Sequence, residues 1–421
     1  MSRVISIDLG ASNGRLILLS FEKNRLKVEE VHRFINEPIN ENNHLYWNIS
    51  YILNEIIIGL KKYTERYEEP LDSIGVDTWG VDFGLISSKN ELVQNPYSYR
   101  DTHTLTIMEE VHEKYNERKL FQRTGVEPTN INTLYQIYAI YKNNPELLRK
   151  TEVILTLPSL INFLLTGEKF NEFTHASTTQ LLNWKKGSWD EQLMKDIFTE
   201  RLPLAKIKST NSIYGYLKNE LKKELKIPNN LPIINVPGHD TACAIAAMPK
   251  EKETAFMSCG TWVLIGVEVE KPVVSDDAYN WGFTNEGTAE NTFRLQKNNM
   301  GLWLLQQCKK EWAKEGDTIS YELEKVLIRK APPFQSFIDP DADIFFNPKS
   351  MVQAIKAFCK ETKQPIPRTK GEVMRCILES LALKYRWVIE KLEQLTRQRI
   401  PEIHMAGCGI QNEIFFQFTA N

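Results

Sequence analysis

The sequence predicts an α/β protein of two domains around a central cleft, and three observations carry that reading. At 421 residues the chain exceeds what one ordinary hydrophobic core accommodates. Apolar runs of strand length alternate with longer stretches of helical periodicity throughout. A glycine-bearing turn between two apolar strands occurs twice, in "SIDLGASNGRL" (6–16) and in "SCGTWVLIG" (258–266), near the start of each half. The expected division is 1–246 and 247–421, where "AAMPKEKE" leaves an alanine-rich helix through Pro249 and a charged run.

In the first half "RVISIDLG" reads as a strand, "RLILLSF" as its hairpin partner and "RLKVEEVHRF" as a third strand after a polar break at "EKN". Ile52, Ile56, Ile57, Leu60 and Tyr63 recur at helical spacing between Trp47 and Tyr67, and "SIGVDTWG" follows as a short strand. Helices are predicted around 105–122, 133–149 and 158–166, with "TEVILTL" as a strand between the last two. In the second half "ETAFMSCG" and "WVLIGVEVE" repeat the hairpin, and "TFRLQ" adds a strand. Helices follow at about 299–314, 349–362 and 370–397, and "EIHMAGCGIQNEIFFQF" closes as strand, Gly-x-Gly turn and helix.

The hydrophobic content of 42% and charged content of 25% are those of a globular protein, and a net charge of −2 gives no basis for binding nucleic acid or an acidic membrane. "LILLSF" is too short to span a bilayer, and no secretory leader pattern opens the chain. All six cysteines fall between Cys243 and Cys408 without CxxC spacing, which points to a reducing cytoplasm.

Each polar motif has a structural and a chemical reading. In the first turn Gly10 and Gly14 can adopt positive φ in a hairpin; equally, glycines beside Ser12 and Asn13 let backbone N–H groups approach a phosphate. In "VPGHDTACAIAA" (236–247) Asp240 precedes a helix, as an N-cap or as a general base. "GVDTWGVDFGLI" (75–86) sets Asp77 and Asp82 in an apolar run, as turn residues or as acceptors for sugar hydroxyls beside a tryptophan. "YRDTHT" (99–104) adds Arg100, Asp101 and His103, as a polar loop or as part of the same site. Ser258, Gly260 and Thr261 form the second turn, "KNNMGLWLLQQ" (297–307) opens a helix with two asparagines, and "AGCGIQN" (406–412) has the strand, turn, helix layout on which a nucleotide can lie.

Taken in order, "DLGASNGR", "DTWGVDF", "YRDTHT", "GHDTACA", "SCGTWVLIG", "NNMGLWLLQ" and "AGCGIQN" resemble the FGGY family of carbohydrate kinases. The resemblance implies an actin-like ATPase fold of two ribonuclease-H-like domains, with ATP and Mg2+ bound and a ketose phosphorylated at its primary hydroxyl. It places Ala11, Ser12, Asn13, Gly14 and Arg15 on the first ATP-phosphate loop and Thr261 on the second, with Asp8 near the metal. Asp240 matches the catalytic base, flanked by His239 and Thr241 at the sugar, and Gly80 and Asn298 match further sugar positions. Gln306, Gly407 and Gly409 match nucleotide contacts, while Asp77, Asp82, Arg100 and Asp101 lie in sugar-domain motifs.

The expected substrate is L-rhamnulose, with fuculose, xylulose or ribulose as alternatives, in a monomer or weak homo-oligomer. A non-catalytic sugar- or nucleotide-binding relative is the reading of another class. Two departures accompany the resemblance: Cys408 interrupts the family's glycine run, and the family continues several dozen residues past Asn421, which implies a second domain incomplete at its C-terminus and a partial ATP site.

Overall fold

A computed structural model describes residues 2–199, 201–228, 230–249, 253–260 and 262–420, without the side chain of Cys408. Two compact units result, one from residues 1–247 and 269–294, the other from 248–268 and 295–421. The segment 269–294, assigned to the second half from sequence, packs with the first unit. Asn285 explains part of this, since its side-chain amide donates to the Gly125 carbonyl at 2.9 Å.

The first unit is built on a six-stranded sheet. Strand β1 (Ser2–Leu9) pairs antiparallel with β2 (Asn13–Glu22), which pairs antiparallel with β3 (Arg25–Ile35). On its other side β1 runs parallel to Ser73–Thr78, followed by Pro232–Asn235 and Ser212–Tyr216. Alternation along β1 buries Ile5, Ile7 and Leu9 in a core shared with Ile52, Ile56 and Leu60 of helix α1 (Ile49–Arg66). The polar break between β2 and β3 is a two-residue turn in which Lys23 and Asn24 both take positive φ, as a tight hairpin requires. A separate core lies among Leu120, Leu134, Ile137, Leu193 and Phe198.

The second unit repeats the opening motif. Thr254–Cys259 pairs antiparallel with Trp262–Val269 and parallel with Glu402–Ala406, as β1 does with β2 and Ser73–Thr78. Helices Trp303–Lys314, Tyr321–Lys330, Met351–Glu361 and Lys370–Thr396 complete most of it. The longest begins with a capping box between Thr369 and Glu372.

Several expected elements are subdivided. The helix expected at 105–122 is two, Ile107–Lys114 and Glu117–Thr124, because Asn116 caps the second by accepting from the Lys119 N–H. That expected at 133–149 breaks at Pro145, which has no N–H to continue the ladder. The asparagines of "KNNMG" do not open a helix: the strand Phe293–Met300 runs through Asn298 and Asn299, and the helix begins at Trp303.

Candidate active site

The first turn is a hairpin closed by the Gly10 N–H donating to the Asn13 carbonyl at 2.9 Å. Its glycines are not there for positive φ, which neither adopts. At Gly14 the cause is packing: a Cβ would lie 2.2 Å from Cζ of Phe34, its partner across β2 and β3. Asn36 ties the outer face by donating its side-chain amide to the Gly10 carbonyl and its backbone N–H to the Ser12 carbonyl. With those carbonyls occupied, no partner among the described residues takes the N–H groups of Ala11 and Ser12. Such a loop suits an anion.

Below the turn, register aligns Arg15, Asp8 and Asp77 on three adjacent strands. Arg15 forms an ion pair with Asp8. Burial, and then the charges of Asp8 and Asp240, push the Asp77 carboxyl well above the ordinary carboxylate range, against the pull of Arg15. Asp77 therefore lies within the field of both Asp8 and Asp240. Among the described residues no group of three or more His, Cys, Asp or Glu side chains could hold a metal ion unaided. A pair of neighbouring carboxylates, with phosphates and water supplying the remaining oxygens, is the donor set that Mg2+ accepts.

Asp240 opens the helix Asp240–Ala246; the cap position belongs to His239. The side chain is about 39% exposed, and its Oδ1 accepts from the Thr241 N–H at 2.5 Å and the Thr241 hydroxyl at 3.2 Å. That leaves a half-buried carboxylate oriented by its own first turn and still reachable by a ligand. The preceding turn is fixed by Glu172, a buried carboxylate that accepts from the Gly238 N–H at 2.8 Å, the Thr174 N–H and hydroxyl, and the His175 N–H. A Cβ on Gly238 would stand 2.8 Å from the Glu172 Oε2 and 2.7 Å from Pro158, so the turn tolerates only glycine.

His239 packs beside Gly80, where an added Cβ would lie 3.2 Å from the ring Nε2. The next residue, Val81, takes φ 66, a left-handed conformation costly for a β-branched side chain. It is held there from both sides: Thr178 accepts from its N–H and Thr133 donates to its carbonyl.

Other expected site residues serve different ends. Asp82 is fully buried and accepts from the indole N–H groups of Trp47 at 2.6 Å and Trp79 at 2.8 Å, the Gln136 amide at 2.9 Å and the Tyr99 N–H at 3.3 Å. With its oxygens occupied it supports the site and cannot contact a sugar; burial pushes its carboxyl up to about 6 against those hydrogen bonds. Trp79, 5% exposed and stacked obliquely on Trp47 at 4.2 Å, offers no open face for a sugar ring. Asp101 is also buried, accepting from the Leu45 N–H and bonding His44 and His103, so it pins its loop. Arg100 is exposed over the ring of Tyr99, 5.4 Å from its centroid. Tyr99 lies within the field of Asp240.

The second unit carries its own candidates. Gly260 donates its N–H to the Trp262 carbonyl at 2.9 Å, the counterpart of the Gly10 bond, while Thr261 lies outside the described residues. Gly407, at φ 101, and Gly409 press against Cys259: a Cβ on Gly407 would stand 2.2 Å from the Cys259 carbonyl oxygen. These glycines are required to seat the final turn on the hairpin. Asn298 and Gln306 are exposed, on the strand Phe293–Met300 and the helix Trp303–Lys314.

Sequence reasoning missed Glu172, Glu286 and Arg294. Arg294 is fully buried, ion-paired with Glu286, and its Nη2 stands 2.7 Å from the His239 Nδ1. An arginine between Phe293 and Leu295 in a buried strand was the available signal, because a charge in such a run needs a partner.

Residues 3–246 match the N-terminal domain of the FGGY family of carbohydrate kinases and residues 255–421 its C-terminal domain, which defines an enzyme of the sugar-kinase class. The chain belongs to the FGGY family. Among its relatives, a rhamnulokinase of Bacteroides thetaiotaomicron is 39% identical over 99% of this chain and 85% of its own length. One of Bacillus subtilis is 34% identical over 99% and 84%. Of solved structures, xylulose kinase from Lactobacillus acidophilus superimposes with a TM-score of 0.83 at 16% identity, covering 100% of this chain and 84% of that one. Plasmodium falciparum glycerol kinase with ADP does so with a TM-score of 0.79 at 19% identity over 100% and 84%. At these identities the structural likeness concerns the fold, the two-domain α/β architecture expected from sequence. No helix among the described residues is long and apolar enough to cross a membrane.

Proposed function

We propose that the protein transfers the γ-phosphoryl group of ATP to the primary hydroxyl of L-rhamnulose, giving L-rhamnulose 1-phosphate and ADP, as a cytoplasmic step of L-rhamnose catabolism. The observation that carries this reading is the half-exposed Asp240, set among Asp8, Asp77, His239 and Gly80 in a chain whose relatives are rhamnulokinases.

Asp240 takes the proton of the primary hydroxyl as its oxygen forms the new bond to phosphorus and the bond to the leaving ADP oxygen breaks. A carboxylate suffices as proton acceptor where proton transfer is late in a loose phosphoryl transfer. Ala11 to Arg15 offer N–H groups and a guanidinium to the phosphates, and Thr261, Gln306, Gly407 and Gly409 are the nucleotide contacts proposed in the second unit. His239, Thr241, Gly80 and Asn298 are proposed to hold the sugar, with Arg100 at its edge. Mg2+ would be held near Asp8 and Asp77, where it neutralises phosphate charge.

The choice of ketose rests on few polar contacts. An ADP-release assay with L-rhamnulose, fuculose, xylulose and ribulose tests it directly. The highest kcat/KM is expected for L-rhamnulose; a higher value for any other ketose assigns the enzyme to that sugar.

A further inference from the structure

The hairpin bearing Glu286 and Arg294 stands behind His239, and the phosphoryl transfer described above gives it no role. We propose that Glu286 and Arg294 are positioning residues that hold His239 as its Nε2–H tautomer, keeping a fixed hydrogen-bond donor toward the ketose beside Asp240. The proposal rests on the sugar-kinase reading of this site.

Hydrogen-bond inventory carries the argument. A guanidinium has donors only, so at 2.7 Å from the Arg294 Nη2 the His239 Nδ1 must accept. The neutral ring then carries its proton on Nε2. The competing arrangement, Nδ1–H donating to the Glu286 Oε2 at 3.2 Å, would direct that hydrogen against the nearer guanidinium.

Arg294 is itself held in place. It is ion-paired with Glu286 and donates to the Gly287 carbonyl at 3.0 Å, all within the first unit. Burial would raise the Glu286 carboxyl, yet the Arg294 charge, the largest opposing influence, holds it below the ordinary carboxylate range. The pair is therefore a stable carboxylate and guanidinium, and its geometry can be transmitted to the ring.

On the other side, Nε2 lies 3.4 Å from the Asp240 Oδ1 and looks onto Gly80, where the missing side chain leaves space. His175, the nearest other ring at 6.5 Å, directs its own Nε2 to the Trp79 carbonyl and does not compete. A 2-ketose carries, on the carbon next to its primary hydroxyl, a carbonyl oxygen that can only accept. A locked N–H donor beside the base matches that oxygen.

The sugar-free protein decides first. In two-bond 15N–1H correlation spectra of protein labelled at histidine, with His239 assigned by His239→Gln, the Nε2–H pattern is expected. An Nδ1–H pattern, or a mixture of the two, overturns the proposal. Arg294→Lys keeps the charge but loses the planar fork that serves Glu286 and His239 together. It is expected to produce a tautomer mixture and to raise KM for the ketose about 5- to 10-fold, with kcat and KM for ATP within about two-fold. An unchanged tautomer with an unchanged ketose KM contradicts the positioning role. Because the first measurement needs no substrate, failure to phosphorylate any ketose would count against the sugar-kinase reading alone.

Discussion

Asp82 receives only donors: two indole N–H groups, one amide and one backbone N–H meet its carboxylate in a fully buried position. Asparagine there would turn an NH2 toward those donors, and Asp82→Asn is expected to cost about 1–3 kcal/mol in denaturant unfolding. The pH dependence of the native residue follows from its carboxyl being pushed up to about 6 from an ordinary 3.8. The folded chain binds more protons than the unfolded chain between those values, so this group's contribution is fully present below about 3.8 and is lost as pH rises through about 6. Asp82→Asn should remove that downward slope; an identical slope of Tm against pH between 4 and 6 in both proteins would assign it elsewhere. Residues of this kind divide sharply in legibility. That Asp240 stands at a helix start was readable from Pro-Gly and the alanine-rich run that follows, while the choice between a cap and a base was not. Nor was the support role of Asp82, since its donors Trp47 and Gln136 are brought to it only by tertiary folding.

At the scale of elements, the hairpin β1/β2 was legible from alternation and turn residues, but the reason for Gly14 was not. Turn chemistry suggested positive φ, whereas the structure requires the absence of a Cβ because the Phe34 ring lies across that position. Phe34 belongs to β3, and which of its residues faces Gly14 depends on a register that includes an irregularity between Leu16 and Ile17. Gly14→Ala is therefore expected to destabilise by about 1–3 kcal/mol through overpacking. In a double-mutant cycle Phe34→Ala should recover at least half of that loss. Additive effects would mean that the ring is not what excludes the side chain. Helix boundaries failed for a related reason: periodicity persists across Asn116 and Pro145, while capping and a missing N–H end the helices there.

For the molecule as a whole, the sequence showed a glycine turn between apolar strands recurring in each half, and the structure adds a parallel third strand to each hairpin. The bonds closing them are alike, Gly10 to Asn13 and Gly260 to Trp262, both 2.9 Å. What remained illegible was the segment 269–294. It reads as a continuation of the second half, yet it packs with the first unit and brings Glu286 and Arg294 to His239. Contacts made across some fifty residues of chain leave no local pattern, so the ring's support could only come from the structure. The central claim, that Asp240 is the base of a ketose kinase, is tested most directly by steady-state ADP release with L-rhamnulose in the wild-type chain and in Asp240→Asn. A fall in kcat of about 10²- to 10⁴-fold is expected, with KM for ATP nearly unchanged. Wild-type turnover in Asp240→Asn would contradict it.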